Sequence, residues 1–426
     1  MAPTDDEILA AVAREATWME ELTARLVAAR TTLGAEEPGQ AIMREALRDS
    51  GLEPQDVPLD AAALRGHPGA SPFSWDVAGK AAVAARFGPE IPSRTGARSL
   101  ILNGHVDVVS AAPEVLWRTP PWEAVRDGEW LHGRGAGDMK AGLAAMVGAV
   151  RALRALGARP AAPVYLQSVV EEECTGHGAL ALVLAGAAAD GAVVVEPTGG
   201  AVWTGQVGVL WFDVRILGRP AHAGWASEAG NAIEGSFPVI EALRGLEAQL
   251  NAERVAPFEA HAHPINLNVG VISGGDWPST VAGEAVTRFR LGLYPGQRVA
   301  ALRERVEATV EAASAGLPPG YTAEVTYDGF ACEGYALAGD EAIVGAVGAA
   351  AAQVTGAPPP VQASTTTDAR QFALYAGTPA VSFGPLAADI HGVDERVHVP
   401  SILTTAQALA LLVRDWCGLE DGADPS

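Results

Sequence analysis

Apolar residues recur along this chain in two rhythms, and the changes of rhythm divide it. From Thr4 to Leu33 the positions Ile8, Val12, Leu22 and Leu26 follow helical spacing, with Thr4 as the cap before an acidic first turn. Ser99–Asn103 is a short apolar run that ends at a glycine and reads as a buried strand. Leu143, Met146, Val147, Val150 and Leu153 form one helical stripe. Val164–Val170 and Ala192–Val195 read as further strands, joined by an alanine-rich helix over Ala179–Ala189. Strands alternating with helices predict right-handed crossovers and a mostly parallel sheet. Between Val207 and Tyr327 the pattern shifts to strands at Leu210–Leu217, Ile265–Ile272 and Ala285–Leu293 and helices at Ile233–Leu250 and Val299–Ala313. The chain is therefore expected to be α/β. A mostly parallel-sheet domain over residues 1–207 and 328–426 is interrupted by an inserted α+β domain over 208–327. Gly157–Pro163 and Gly356–Pro360 read as loops and Gly418–Ser426 as a disordered tail, and no internal repeat is found.

Composition narrows the function classes. A length of 426 residues suits two domains, and 49% hydrophobic residues suit a globular protein. A net charge of −22 argues against nucleic acid or an anionic membrane as partner, since both select basic patches. Three widely spaced cysteines, Cys174, Cys332 and Cys417, point away from a disulfide framework and toward a reducing compartment. The acidic N-terminus lacks a signal-peptide pattern, and the apolar run Ala141–Val150 is too short to span a bilayer. A soluble cytoplasmic protein is the expectation.

The candidate chemistry falls at or soon after the predicted strands, where ligands of open α/β sheets gather. His105 and Asp107, two apart, project to one side of an extended segment, so the Asp107 carboxylate is expected to orient the imidazole. Asp138 follows the glycine-rich Gly133–Gly137 and precedes a helix. It is either that helix's cap or a carboxylate shared by two cations, one oxygen to each. Glu171, Glu172 and Glu173 place three acids after a buried strand, a desolvation cost that a cation would offset. One of them can ligate a metal while a neighbour takes a proton from water. Glu196 follows Val193–Val195 directly, and His391 lies far downstream with Glu395. Two histidines and several carboxylates suit a pair of divalent ions.

In order, Gly104-His105-Val106-Asp107, Gly133 to Lys140, Glu171 to Gly178, Glu196-Pro197-Thr198 and Gly218 to Gly224 resemble the acetylornithine deacetylase and succinyl-diaminopimelate desuccinylase branch of the di-zinc aminoacylase and carboxypeptidase family, over residues 4–415. The resemblance implies a di-zinc hydrolase domain with an inserted lid and dimerisation domain. It implies His105, Asp138 and Glu196 on one zinc, and Asp138, Glu173 and His391 on the other. Cobalt or manganese would also suit such ligands. Where the family has Asp-Glu-Glu, the middle acid is the base and the third a ligand, which makes Glu172 the base. Three identical residues leave that register open. The resemblance further implies a homodimer through the inserted domain, in which His222 reaches a partner's site to hold the oxyanion. His132, His177 and His398 are expected to be bystanders.

One departure bears on substrate. Many relatives carry a lid arginine that holds a substrate carboxylate, ten residues after the proline of an Asn-Val-Ile-Pro-like segment. Here the segment is Ser279-Thr280-Val281-Ala282 and the arginine's position is Gly292. Ser279, Arg288, Arg290 and Arg370 are candidate substitutes, and Trp225, Trp277 and Phe383 candidate aromatic walls. The expected activity is removal of an acyl group from a small N-acyl amine or N-acyl amino acid. The alternatives are a dipeptidase or carboxypeptidase, a deformylase of an N-formyl aminopyrimidine, and, remotely, a non-catalytic metal- or ligand-binding relative.

Overall fold

The computed structural model describes residues 3–317 and 319–420. The first helical stripe forms two helices, Asp5–Arg14 and Ala16–Ala28, rather than one. Both pack on helix Ala141–Ala155, and Glu15 at the break receives the Arg151 guanidinium at 2.7 Å. Thr4 caps as expected: its hydroxyl accepts the Glu7 N–H while its own N–H donates to the Glu7 carboxylate at 2.8 Å.

The first sheet has nine strands and a parallel centre. Val164–Val169, Leu100–His105, Ala192–Val194 and Ala380–Ser382 lie side by side in parallel; the first three follow the βα alternation read in the sequence, and the fourth was not read there. On one side Ala81–Phe87 and Gln55–Pro58 continue the sheet antiparallel. On the other, Val202–Gln206 runs antiparallel to Ala380–Ser382, with Tyr335–Ala336 antiparallel and Val361–Ser364 parallel to it. The register matters for function. Val169 pairs with His105 and Val194 with Asn103, so His105, Glu172, Glu173 and Glu196 all emerge at the carboxyl edge of the parallel centre. The helix expected over Ala179–Ala189 runs instead from His177 to Leu184, ended by Gly186 at φ +94°. Helix Val399–Cys417 packs on Ala141–Ala155 and Ala342–Thr355 to close the core.

A small antiparallel sheet orders Ala387–Ala388, Arg396–His398, Trp130–His132 and Val125–Asp127. Its pairing of Arg396 with His132 brings the segment carrying His391 and Glu395 beside the glycine-rich loop that carries Asp138.

The chain leaves the first sheet after Gln206 and builds a second, antiparallel one in the order Leu267–Gly274, Glu284–Leu293, Gly208–Leu217, Thr322–Thr326. Helices Ala232–Ala252 and Val299–Ala315 cover one face, around a separate core of Leu210, Phe212, Ile216, Leu243, Phe289 and Val306. Period-two alternation turns Val209, Trp211, Asp213, Arg288 and Arg290 to the other face.

Of the expected tail, 421–426 lie outside the described residues. Gly418–Glu420 are held: the Gly418 carbonyl accepts the Ala161 N–H at 3.0 Å and Leu419 bridges to Pro160. Among the described residues no helix is long and apolar enough to cross a membrane. The three cysteines are buried and unbridged.

Candidate metal centre

His105 closes its strand with the imidazole 1% exposed. Its Nδ1 lies 2.9 Å from the Asp107 backbone carbonyl, and the carboxylate is farther, at 3.7 Å. That carboxylate faces the ring through Oδ1, while its Oδ2 accepts the Glu173 N–H at 3.0 Å. Asp107 thereby ties the acidic turn to the strand end, and burial pushes its carboxyl up to about 7 against the pull of His105.

Asp138 is not the cap of the following helix, whose cap position is Lys140. Extended backbone at φ −112°, ψ 96° brings its carboxylate between two imidazoles. Oδ1 lies 3.2 Å from His105 Nε2 and Oδ2 lies 3.4 Å from His391 Nε2. The preceding loop requires glycine at 135, where φ is +80° and a Cβ would stand 2.5 Å from Val108 Cγ1.

The three glutamates part company. Glu171, at φ +63°, turns away: Oε1 accepts from Lys80 Nζ at 2.7 Å and the Trp75 indole at 2.8 Å, and Oε2 from the Thr175 hydroxyl at 3.0 Å. Those bonds outweigh burial and, with His177 beside it, hold this carboxyl at about 2. The cation that offsets Glu171 is thus a lysine ninety-one residues upstream. Glu172 and Glu173 face the opposite way. Glu172 Oε2 is 3.9 Å from His105 Nε2, and both Glu173 oxygens are 3.0 Å from His391 Nε2. Ligand atoms of His105, Asp138 and Glu173 lie within 4.8 Å of one another, as do those of His105, Glu172 and Glu196.

These groups fit a pair of divalent cations. Four carboxylates crowd two imidazoles, and one of them offers an oxygen toward each ring. Burial drives the Glu172 and Glu196 carboxyls well above the usual range, and neighbouring acids push them further. Glu173 beside His391 pushes that imidazole up to about 11 despite burial. Divalent ions would offset this repulsion.

The cluster floors a cavity of about 630 Å³ whose far wall is the open face of the inserted sheet. On that wall Arg290 stands between Asn268 and Trp211 on the neighbouring strands. Arg288 is neutralised by Asp213 at 2.9 Å, whereas the side-chain hydrogen bond of Arg290 among the described residues goes to the Thr365 hydroxyl, at 3.5 Å. Trp211 and Phe330, edge to face at 5.3 Å, supply aromatic surface.

Other candidates lie elsewhere. Arg370 is 1% exposed and spends its guanidinium on the carbonyls of Thr367 and Thr175, at 2.8 and 2.9 Å, so it does not face the cavity. Phe383 is core. Ser279 is exposed, and its carbonyl accepts the Ala223 N–H at 2.9 Å. His222 is exposed with Trp225 at 5.6 Å, and Nδ1 accepts the Gly224 N–H at 3.0 Å. With Trp277 these residues form one exposed end of the inserted domain and do not line this chain's cavity. His177 is buried, accepting the Ser71 N–H at 3.2 Å; His398 lies 3.3 Å from Glu129, and His132 pairs with Arg396.

Sequence patterns did not single out Lys80, Trp75, Asn268 or Thr365, since each acts across a long separation without a local motif. Arg134 lay in the glycine-rich loop and Glu395 beside His391, but no local pattern joined the two as partners.

Residues 101–415 match the family described as peptidase family M20/M25/M40. A succinyl-diaminopimelate desuccinylase of Caulobacter sp. (strain K31) is 32% identical over 342 residues, 77% of this chain and 82% of that protein. An N-formyl-4-amino-5-aminomethyl-2-methylpyrimidine deformylase of Halalkalibacterium halodurans is 28% identical over 344 residues, 76% of this chain and 80% of that protein. The crystal structure of human carnosine dipeptidase 1 superposes with a TM-score of 0.77 at 17% identity, covering 97% of this chain and all of that one (100%).

Proposed function

The chain belongs to peptidase family M20/M25/M40, and from that premise we propose that it is a di-zinc amidohydrolase removing an acyl group from a small N-acyl amine or N-acyl amino acid. The observation that carries this reading is Asp138 between the imidazoles of His105 and His391, with Glu172 beside it on the cavity floor. His105, Asp138 and Glu196 would hold one ion, and Asp138, Glu173 and His391 the other. When bound, the two ions supply Lewis acidity toward the amide carbonyl and toward water. Glu172 takes the proton from water and returns it to the leaving nitrogen. Asp107 holds the Glu173 backbone, and the Glu171 anchor aims Glu172 inward.

The substrate carries a carboxylate that meets Arg290, the guanidinium of the far wall that has no acidic partner among the described residues. A homodimer through the inserted domain would let His222 serve a partner's site as an oxyanion donor. Support comes from its exposure and from the edge strand Leu267–Gly274, where Val271 and Ile272 are 52% and 47% exposed. The unbridged cysteines suit the cytoplasm. A second reading, deformylation of a flat N-formyl amine as in the Halalkalibacterium relative's name, draws on the aromatic pair Trp211 and Phe330.

Glu172→Ala tests the reading. Turnover should fall by about 10²–10⁴-fold with metal content kept. Loss of metal instead, with Glu171→Ala keeping metal and losing turnover, would move the base to Glu171.

A further inference from the structure

His105 ends a parallel strand and Glu196 follows another whose last bond is Val195 N–H to the Asn103 carbonyl at 2.9 Å, but two of the proposed ligands ride on loops. Asp138 follows the glycine-rich loop. His391 sits in a segment where Asp389, His391 and Asp394 all take positive φ, at 55°, 60° and 58°. Such backbone persists only where its surroundings hold it. One buried pair links the two loops. Glu395, 1% exposed, accepts the N–H groups of Gly135, Gly137 and Asp138 at 3.0, 3.0 and 2.9 Å together with Arg134 Nη1. Arg134, 2% exposed, donates its other terminal nitrogen to the carbonyl of Gly392, beside His391, at 2.8 Å. The Gly133 N–H donates to the Glu395 carbonyl at 2.9 Å, and Trp117 lies under the guanidinium.

We propose that Glu395 and Arg134 are positioning residues that clamp the Asp138 and His391 loops together and so build the second of the two ion sites. This rests on the two-ion reading above. Neither residue ligates an ion. If the clamp opens, the Asp138–Glu173–His391 site loses the placement of two of its three side chains, whereas the His105–Asp138–Glu196 site loses one and keeps both strand-end ligands. Glutamine at 395 supplies one acceptor oxygen where the loop needs two, and its amide N–H₂ opposes N–H donors.

The test uses the full chain, stripped with a chelator and titrated with Zn²⁺ by calorimetry and with Co²⁺ by its visible absorption. Circular dichroism and the thermal midpoint of the stripped protein report folding. The parent should take up two ions. Glu395→Gln should bind the first within a few-fold of the parent and the second at least ~10-fold more weakly, the scale seen when groups that orient metal ligands are removed. Arg134→Lys, which keeps the charge but cannot span Glu395 and Gly392, should fall in the same direction and decides the matter if Glu395→Gln does not fold. Two ions bound with parental affinity, or both affinities falling equally in a folded variant, overturn the clamp alone. A parent that takes up fewer than two ions overturns the clamp together with the two-ion reading.

Discussion

Replacing Lys80 by methionine removes a charge from the middle of a buried triad while keeping most of the side chain's length. Lys80 Nζ stands 2.7 Å from Glu171 Oε1 and 2.8 Å from Glu36 Oε1, in side chains 10%, 0% and 3% exposed. Removing one partner of a buried ion pair costs about 3–5 kcal/mol, because the remaining charge is left uncompensated. Glu171 would keep the Trp75 indole and the Thr175 hydroxyl, whereas the Glu36 carboxylate has no other hydrogen-bond partner among the described residues. The retained donors and the slight exposure of Lys80 favour the lower end, about 3 kcal/mol, or roughly 100-fold in the folding equilibrium. Urea denaturation of the metal-depleted chain, followed by tryptophan fluorescence, would measure it. Adding Glu36→Gln to Lys80→Met removes one stranded acid and should restore about 1–2 kcal/mol, a coupling expected between contacting residues. If Lys80→Met stays within about 0.5 kcal/mol of the parent, or the double variant loses the plain sum of the single losses, the triad does not anchor the turn that aims Glu172 and the reasoning fails.

Two further outcomes follow. Arg290→Gln should lower kcat/KM on a carboxylate-bearing substrate by about 10–150-fold, the worth of a charged hydrogen bond, while sparing a carboxylate-free analogue and the metal content; equal losses on both would place Arg290 in the scaffold. In the inserted domain, burial of Glu247 is outweighed by the Leu267 N–H at 2.7 Å, His263 at 3.1 Å and Arg244 at 3.0 Å, which hold its carboxyl below the usual 4.5. A folded-state value below the unfolded one stabilises the protein above the unfolded value and is lost as pH falls below it. Thermal midpoints taken from pH 7 to pH 4 should therefore drop less steeply for Glu247→Gln than for the parent, and parallel curves would contradict this.

The apolar runs read at 99–103, 164–170 and 192–195 were legible because strands buried on both faces read as largely unbroken hydrophobic segments, and they formed the strands at 100–105, 164–169 and 192–194. The change of strand and helix pattern after Val207 marked the inserted domain, which folds around its own core. The antiparallel margin Ala81–Phe87 passed unread, since its alanines carry little periodic contrast. Glu171 shows where local reading ends: three identical acids become distinct only through Lys80 and Trp75, which the fold brings from far upstream. Arg370 shows the converse, for its charge was plain but its direction, into backbone carbonyls, depends on loops that meet only in three dimensions.

The central claim is tested most directly by hydrolysis of N-acetyl, N-succinyl and N-formyl amines beside dipeptides, with metal-depleted and zinc-restored protein compared. Amine should be released from a carboxylate-bearing N-acyl substrate by the zinc-restored protein and not by the metal-depleted one. Cleavage of dipeptides alone would move the chain to the peptidases of its family, and turnover unchanged by metal removal, or no turnover with any of these compounds, would contradict the account.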